Sequence, residues 1–435
     1  MRIGSVSLRA IAGSVTLLAI AAALAAPAMG QTTLNLLHCW GDARTAMVEK
    51  MLSDFTADHP GITVSHELVG CGGPLHDRLR TQIAAGIPPD VAMVYTTVMV
   101  GLAEGGNLVA LDPYMQRDGL VPEMWYPSEL GAGQWRGSTF GLPIRTGGDA
   151  NSLIFYNKDL FAEAGLPDRA PATWTELDQI SRRLIRYEGD QITVSPITNI
   201  AGYTGDAGPL AWLYAGGGRF LSEGGRSVDF ASPAGVEMLE WVYNFRSSVY
   251  RTLGDDGGFG NDVTRALFVE GKAAMFITGV WNYSFVWSVN PDFNLGSGVR
   301  PRKEGSPYAG ANAGTYLYAI PTQSRNREAA WELLKWLTVD ENGGGWFMLA
   351  QGRPSPIIAY NRNPAYLEQN PMFPVVGEAL ASSALVEILP IHDELFAHFN
   401  RAFNQGATGA VPPREALEEA ARTAQAELDR YLAGQ

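Results

Sequence analysis

Residues 34–64 read LNLLHCWGDARTAMVEKMLSDFTADHPGITV, and this stretch contains the pattern that decides the fold class. The apolar run at 34–37 predicts a buried strand, and residues 42–59 carry apolar side chains at helical spacing. Pro60 and Gly61 end that helix, and Ile62 begins a second run typical of a strand. The segment therefore predicts a strand, a helix and a strand in succession, which is the unit of parallel α/β sheets.

The alternation continues toward residue 100. Residues 75–85 predict a second helix, closed by Gly86, and residues 90–95 predict a third strand. In an open parallel sheet, ligands bind beyond the carboxyl ends of the strands. We therefore expect Trp40, the turn at residues 71–73 and residues 95–97 to lie near one common edge.

A second α/β region begins near residue 141. Strand-like runs occur at 152–156, 273–278 and 316–320, and helical patterns occur at 158–164, 174–187, 233–249, 262–270, 327–337 and 413–432. The chain has 435 residues, a length that suits about two domains. We find no internal repeat and no low-complexity linker.

The first thirty residues have the features of a secretory signal peptide. Arg2 and Arg9 precede an apolar run at 11–25, and Ala28 and Gly30 are small residues that favour cleavage before Gln31. An earlier cleavage site at 26–28 and an uncleaved N-terminal anchor are the alternatives. No cysteine stands at the cleavage site to carry a lipid. We therefore predict export to the periplasm.

Charge and cysteine content exclude several classes of function. The formal net charge is −13 for the full chain, and removing residues 1–30, with two Arg and no acidic residue, makes it more negative. An acidic chain argues against binding nucleic acid or an anionic membrane surface. Neither a metal-binding motif nor a motif for a cofactor is present. The two cysteines, Cys39 and Cys71, form either a disulfide between neighbouring strand ends or two small buried thiols.

Ordered motifs along the chain resemble those of the extracellular solute-binding proteins, family 1, the group of the maltose and glycerol-phosphate receptors. They are HPGITV at 59–64, AGIPPDV at 85–91, GNLVALD at 106–112, FGLP at 140–143, LIFYNKDLF at 153–161, AGL at 164–166, PATWTEL at 171–177, GKAAM at 271–275, GVW at 279–281, AAWELLKWL at 329–337 and GRPSP at 352–356. Each motif alone is weak, but their order and spacing span most of the chain.

The resemblance implies a two-lobed periplasmic binding protein fold (type II) of the α/β class. Each lobe is expected to hold a mostly parallel sheet flanked by helices, with the ligand cleft between the lobes. The implied N-terminal lobe is 31–142 plus 303–345, and the C-terminal lobe is 143–302 plus 346–435. The resemblance also implies a monomeric receptor that delivers its ligand to the permease subunits of an ABC importer, whose ATPase is a separate chain.

A sugar site needs flat aromatic side chains for the C–H faces of the ring and polar groups for the hydroxyls. The resemblance places a stacking side chain at Trp281, and an aromatic wall at Trp212 and Tyr214. The strand ends add Trp40 and one of the three residues that end the third strand, Tyr95, Thr96 or Thr97. For these aromatic residues the alternative is a place in the core.

Polar and backbone contacts are expected from three further segments. Arg145 and Asp149 are a hydroxyl donor and acceptor, or else part of a solvated turn. Gly314, together with Tyr316, allows backbone N–H groups to approach a ligand, because glycine has no Cβ. Arg353 lies in a loop that the family often uses at the cleft.

These features predict a receptor for a neutral mono- or oligosaccharide, or a polyol. One alternative is a receptor for glycerol-3-phosphate or a glycerophosphodiester, because Arg145 and Arg353 suit an anion. An alternative of another class is a secreted glycoside-active enzyme, which would need two carboxylates at a fixed separation. The sequence contains neither the GxSxG motif of a nucleophile elbow nor the motif of a phosphate-binding loop.

Overall fold

The computed structural model describes residues 31–148, 152–198, 200, 207–250, 261–369 and 372–434. The predicted signal peptide and Asp149 lie outside these residues. Within them the strands are β1 (Thr32–His38), β2 (Ile62–Leu68), β3 (Val91–Tyr95), β4 (Gln134–Trp135), β5 (Ser138–Thr139), β6 (Leu142–Pro143), β7 (Leu153–Asn157), β8 (Arg186–Glu188), β9 (Gln191–Val194), β10 (Met275–Thr278), β11 (Leu295–Val299), β12 (Gly310–Asn312), β13 (Tyr316–Ala319) and β14 (Ser383–Leu385).

Helices connect and cover these strands. They are α1 (Arg44–Asp58), α2 (Gly73–Ala84), α3 (Thr96–Glu104), α4 (Asp112–Arg117), α5 (Pro127–Gly131), α6 (Lys158–Glu163), α7 (Trp174–Leu184), α8 (Ala207–Ala215), α9 (Pro233–Val249), α10 (Asn261–Val269), α11 (Asn282–Val289), α12 (Arg327–Thr338), α13 (Trp346–Ala350), α14 (Ile358–Asn361), α15 (Pro364–Gln369), α16 (Phe373–Ala381), α17 (His392–Ala407) and α18 (Pro413–Ala433), with a 3-10 turn at Pro122–Met124 and a π turn at Glu341–Gly345. None of the helices in the described part of the chain is long and apolar enough to cross a membrane.

The first sheet has the strand order β2-β1-β3-β13-β6. Strand β1 pairs in parallel with both β2 and β3, as the opening segment of the sequence predicts. Strand β13 follows β3 by more than 200 residues in the sequence and pairs antiparallel with β3 and β6. The carboxyl ends of β1, β2 and β3 therefore meet at one edge, beside the start of β13.

The second sheet differs from the predicted parallel arrangement. Its order is β10-β7-β11, and β7 runs antiparallel to both of its neighbours. Strands β10 and β11 are joined by α11 and are parallel to each other, so they form the expected strand–helix–strand unit. Strand β7, which arrives directly from the first sheet, lies between them. Local periodicity does not reveal such an insertion.

The third passage of the chain between the sheets lies later than predicted. Helix α13 packs on α1, and the amine of Lys50 lies 4.6 Å from the centre of the Trp346 ring. Helix α16 is the next long helix, and it packs on β7 and β11 of the second sheet. The structure therefore places the passage after Ala350, not after residue 345.

Helix α17 carries a buried histidine that we expect to make the fold sensitive to acid. The His392 side chain is 1% exposed, its ring stacks on Phe396, and neither ring nitrogen has a hydrogen-bond partner among the described residues. Burial lowers the pKa of His392 from 6.5 to about 4. The unfolded chain therefore binds a proton at a pH where the folded chain does not. This difference decreases stability as the pH falls from 6.5 toward 4.

We expect His392→Phe to reduce this acid sensitivity, because phenylalanine keeps the ring packing and does not titrate. Urea unfolding between pH 7 and pH 4 measures it, and the variant should keep about 2–3 kcal/mol that the parent loses over that range. The variant will retain a slope of similar size from His38, whose pKa is also lowered to about 4 by burial and by His66. Identical pH profiles for the variant and the parent would rule out this assignment.

Candidate functional site

A disulfide defines one side of the site at the carboxyl ends of β1 and β2. Cys39 and Cys71 are bonded, with their Cα atoms 5.0 Å apart. The bond holds the turn that precedes α2, where Gly72 has φ +74°. In that conformation the backbone N–H of Gly72 donates a hydrogen bond to the hydroxyl of Tyr316, at 3.1 Å. The disulfide thus positions a backbone donor at the edge of the sheet.

Two tyrosines face each other at this edge. Tyr95 ends β3 and Tyr316 begins β13, and the two are paired residues in the antiparallel register. Their ring centres lie 5.3 Å apart at an interplanar angle of 71°, and both side chains are half-buried. The hydroxyl of Tyr95 donates to the carbonyl of Gly314, at 3.1 Å. Both rings are therefore held in fixed orientations while they keep an accessible surface.

Arg145 completes this group, which we call the tyrosine–arginine cluster (Tyr95, Tyr316 and Arg145). Its guanidinium carbon lies 5.2 Å from the centre of the Tyr316 ring. The hydroxyl of Thr315 donates to the backbone carbonyl of Arg145, at 2.8 Å, and fixes the chain there. Arg145 lies between β6 and β7, where the chain passes from the first sheet to the second. The cluster therefore combines aromatic surface with a guanidinium donor, as a carbohydrate site requires.

Gly314 shapes the backbone between the two sides of the cluster. Its φ of +130° suits only glycine, and a Cβ there would lie 3.0 Å from atoms of Tyr95 and of Thr96. Thr96 is 2% exposed, and its hydroxyl donates to the carbonyl of Thr315 and accepts from the N–H of Thr315. Of the candidates at the end of β3, Thr96 therefore offers little surface to a ligand in the cleft, whereas the half-buried Tyr95 keeps accessible surface. The role of Thr96 is to connect β3 to β13.

Trp281 lies on the side of the second sheet. It follows β10 directly before α11 and is half-buried. A Cβ built on Gly279 would lie 2.1 Å from the Trp281 ring, so the ring lies against the backbone of that glycine. Arg353 is also half-buried and follows Gly352, which has φ +64°. Both residues keep exposed surface, and their role in binding remains a prediction.

Trp40 is a core residue, contrary to the prediction. Its side chain is 2% exposed, and its indole N–H donates to the hydroxyl of Tyr318, at 3.1 Å. Phe347 contacts the ring edge at a centre distance of 5.5 Å, and the Arg44 guanidinium lies 5.2 Å from the ring centre. The polar atom of Trp40 is satisfied and its ring is covered, so it has no face for a ligand. Its ring centre lies 6.3 Å from that of Tyr316, which it supports.

The predicted aromatic wall at Trp212 and Tyr214 is also buried, with each side chain 2% exposed. The Trp212 ring packs near Trp241, and the guanidinium carbon of Arg300 lies 3.9 Å from its centre. Both residues belong to α8, and in this helix they point into the core of the second region. Their position before a glycine-rich turn gave no information about that direction.

Sequence reasoning missed Glu129, a carboxylate in α5 that is 0% exposed. Its two oxygens accept hydrogen bonds from the backbone N–H groups of Gly147 and Gly148, each at 2.8 Å. These glycines lie in the passage between β6 and β7, two and three residues after Arg145. A Cβ at Gly148 would lie 2.9 Å from the carboxylate, so the close approach requires glycine. A lone Glu in a short apolar helix was the only signal in the sequence.

The side chains of the described residues form no group of three His, Cys, Asp or Glu that could hold a metal ion.

Comparison with known proteins identifies the family of this chain. The family model described as bacterial extracellular solute-binding protein matches residues 41–344. A binding protein of Brucella abortus is 26% identical over 401 residues, which cover 88% of this chain and 90% of that protein. A galactooligosaccharide-binding protein of Bacillus subtilis is 24% identical over 360 residues, or 82% and 81% of the two chains.

Solved structures show the same fold. The structure of the sugar-binding protein MalE from Xanthomonas citri superposes with a TM-score of 0.76 at 20% identity, and covers 93% of this chain and 100% of that one. The two sheets described above correspond to the two lobes of this type II fold, which confirms the predicted fold class. The family match, which spans more than half of the chain, shows that the chain belongs to the bacterial extracellular solute-binding proteins.

Proposed function

We propose that this protein is the periplasmic receptor of an ABC importer, and that it captures a neutral mono- or oligosaccharide or a polyol. The observation that supports this most directly is the tyrosine–arginine cluster at the carboxyl edge of the first sheet. A similar protein named for galactooligosaccharide binding adds support from outside the chain. Export from the cell and delivery to permease subunits follow from the same proposal, with the receptor acting as a monomer.

The proposed ligand lies between the two lobes and contacts both. From the first lobe, the cluster supplies two tyrosine faces and the Arg145 guanidinium, and the N–H of Gly72 holds the Tyr316 hydroxyl in place. From the second, Trp281 supplies a stacking surface. A ligand that touches both sides only when they are close shifts the equilibrium toward the closed form. Capture is thus a hinge motion, and the passage held by Glu129 is part of the hinge.

The charge at the cluster favours a neutral ligand over a phosphate ester. Arg145 already donates to the carbonyl of Thr146, at 2.9 Å, and lies over the Tyr316 ring. A phosphate site in proteins usually combines several cations or helix N-termini aimed at the anion. One partly engaged guanidinium between two tyrosines suits a hydroxyl group better.

A thermal-shift panel that spans sugars, polyols and glycerol-3-phosphate tests the proposal. A ligand that binds only the folded state raises the unfolding midpoint in a saturable way. We expect at least one neutral carbohydrate to do so, with no product detectable by chromatography after long incubation. Turnover of an oligosaccharide would instead establish an enzyme, and a response to glycerol-3-phosphate alone would establish the anion receptor.

We expect Trp281→Ala to weaken binding of the identified carbohydrate by about 1–3 kcal/mol, because the ligand loses a stacking surface. Isothermal titration calorimetry measures the affinity, and urea unfolding shows that the fold persists. Trp346→Ala is the matched control: this residue is also half-buried, but its ring lies beside Lys50 on α1. Equal affinities in the two variants would show that Trp281 does not contact the ligand.

A further inference from the structure

A cavity of about 510 Å³ lies apart from the tyrosine–arginine cluster. Its walls come from α3, from the hairpin formed by β4 and β5, from the turn at residues 224–226, from residues 385–389 and from the last turn of α18. None of the three cluster residues lines it. Cavities of this size accommodate small organic ligands.

Two charged side chains on the wall of this cavity have no hydrogen bond or ion pair among the described residues. They are Arg226, which is exposed, and Glu387, which is half-buried. One supplies N–H donors only, and the other, when ionised, supplies acceptors only. The cavity therefore offers a donor and an acceptor that the protein itself leaves unused.

The remaining wall is apolar or already paired. Trp135 is half-buried, and Val100, Ile388 and Leu389 are buried beside the cavity. A separate network engages the lining residues Arg136 and Tyr431: Glu104 accepts from the Arg136 guanidinium at 3.0 Å and from the Tyr431 hydroxyl at 2.9 Å. This network balances its own charges and joins α3 to α18.

We propose that this cavity is a second binding site, for a neutral polyhydroxylated small molecule such as a monosaccharide or a polyol. A polyhydroxylated molecule carries several hydroxyl groups, and each of them can donate to Glu387 or accept from Arg226. An anion would be repelled by Glu387, and a cation would be repelled by Arg226. The C–H faces of a sugar or polyol fit the apolar wall and the Trp135 ring.

The test uses D-glucose, D-galactose, D-mannose and mannitol, soaked singly into crystals of the protein at saturating concentration. Electron density for at least one of them in the cavity, with hydroxyls on Arg226 and Glu387, is the expected result. Empty cavities in all four soaks would overturn the proposal. Calorimetry with the compound that binds then gives the affinity of the second site.

Variants separate this site from the cleft between the lobes. We expect Arg226→Ala and Glu387→Ala each to weaken binding in the cavity at least about tenfold, the effect of losing one charged hydrogen bond. Arg325→Ala is the matched control, because Arg325 is exposed but does not line the cavity. Trp281→Ala should weaken binding in the cleft and leave binding in the cavity unchanged. A failure of the cleft assignment is therefore distinguishable from a failure of the cavity assignment. Unchanged cavity binding in both Arg226→Ala and Glu387→Ala would also overturn the proposal.

Discussion

Glu129→Ala is expected to lower the free energy of unfolding by about 3–5 kcal/mol, because it leaves buried polar groups without their acceptor. The backbone N–H groups of Gly147 and Gly148 both donate to this carboxylate, and no solvent reaches it. The same loop carries Arg145. We therefore expect affinity for the carbohydrate to fall as well, even under conditions where the variant is fully folded.

Two further variants make this prediction specific. Glu129→Gln keeps one acceptor oxygen but turns an amide toward the other N–H, so its loss of stability should be intermediate. Glu123→Ala, in the exposed turn before α5, should change stability by less than about 0.5 kcal/mol. Urea unfolding measures all three. Similar small losses for Glu129→Ala and Glu123→Ala would show that the carboxylate does not hold the passage between the sheets.

Removal of the disulfide is the second change with a large expected effect. Cys39 and Cys71 are separated by 32 positions in the sequence, and a bond that closes a loop of this size stabilises by about 3–4 kcal/mol. The double variant Cys39→Ala/Cys71→Ala should lose this amount in urea unfolding. It should also bind carbohydrate more weakly, because the turn that presents the Gly72 N–H is no longer tied to β1.

Single variants provide the control for the disulfide. Cys71 is exposed, so Cys71→Ser would be nearly neutral if the thiol were free. If the bond forms, Cys71→Ser loses about as much as the double variant, and a reducing agent lowers the stability of the parent to the same level. The prediction would be contradicted if Cys71→Ser were as stable as the parent and a reducing agent did not change the stability of the parent.

Much of the fold could be predicted because helices and strands impose their own spacing on apolar residues. The helix predicted at 42–59 is α1 (Arg44–Asp58), and the third strand, predicted at 90–95, is β3 (Val91–Tyr95). The parallel pairing of β1 with β2 and β3 follows because a single helix, α1 or α2, connects each strand to the next along the chain. The ordered motifs then indicate the family, which the match over residues 41–344 confirms.

Less of the site could be predicted, because a strand end locates the backbone but not the direction of the side chain. Trp40 and Tyr95 both stand at the ends of strands in the first sheet. Tyr318 and Phe347, which cover Trp40, lie about 300 positions further along the chain. Tyr95 instead meets Tyr316 at the open edge and keeps accessible surface.

The sequence by itself determined the α/β class, the succession of helices and strands, and the candidate edge where three strands end. These features depend on residues that are neighbours along the chain. The tertiary structure alone decided that β7 lies between β10 and β11, that Trp212 is buried, and that Glu129 holds the passage between the sheets. These features depend on contacts between distant segments, whose pairing no local periodicity encodes.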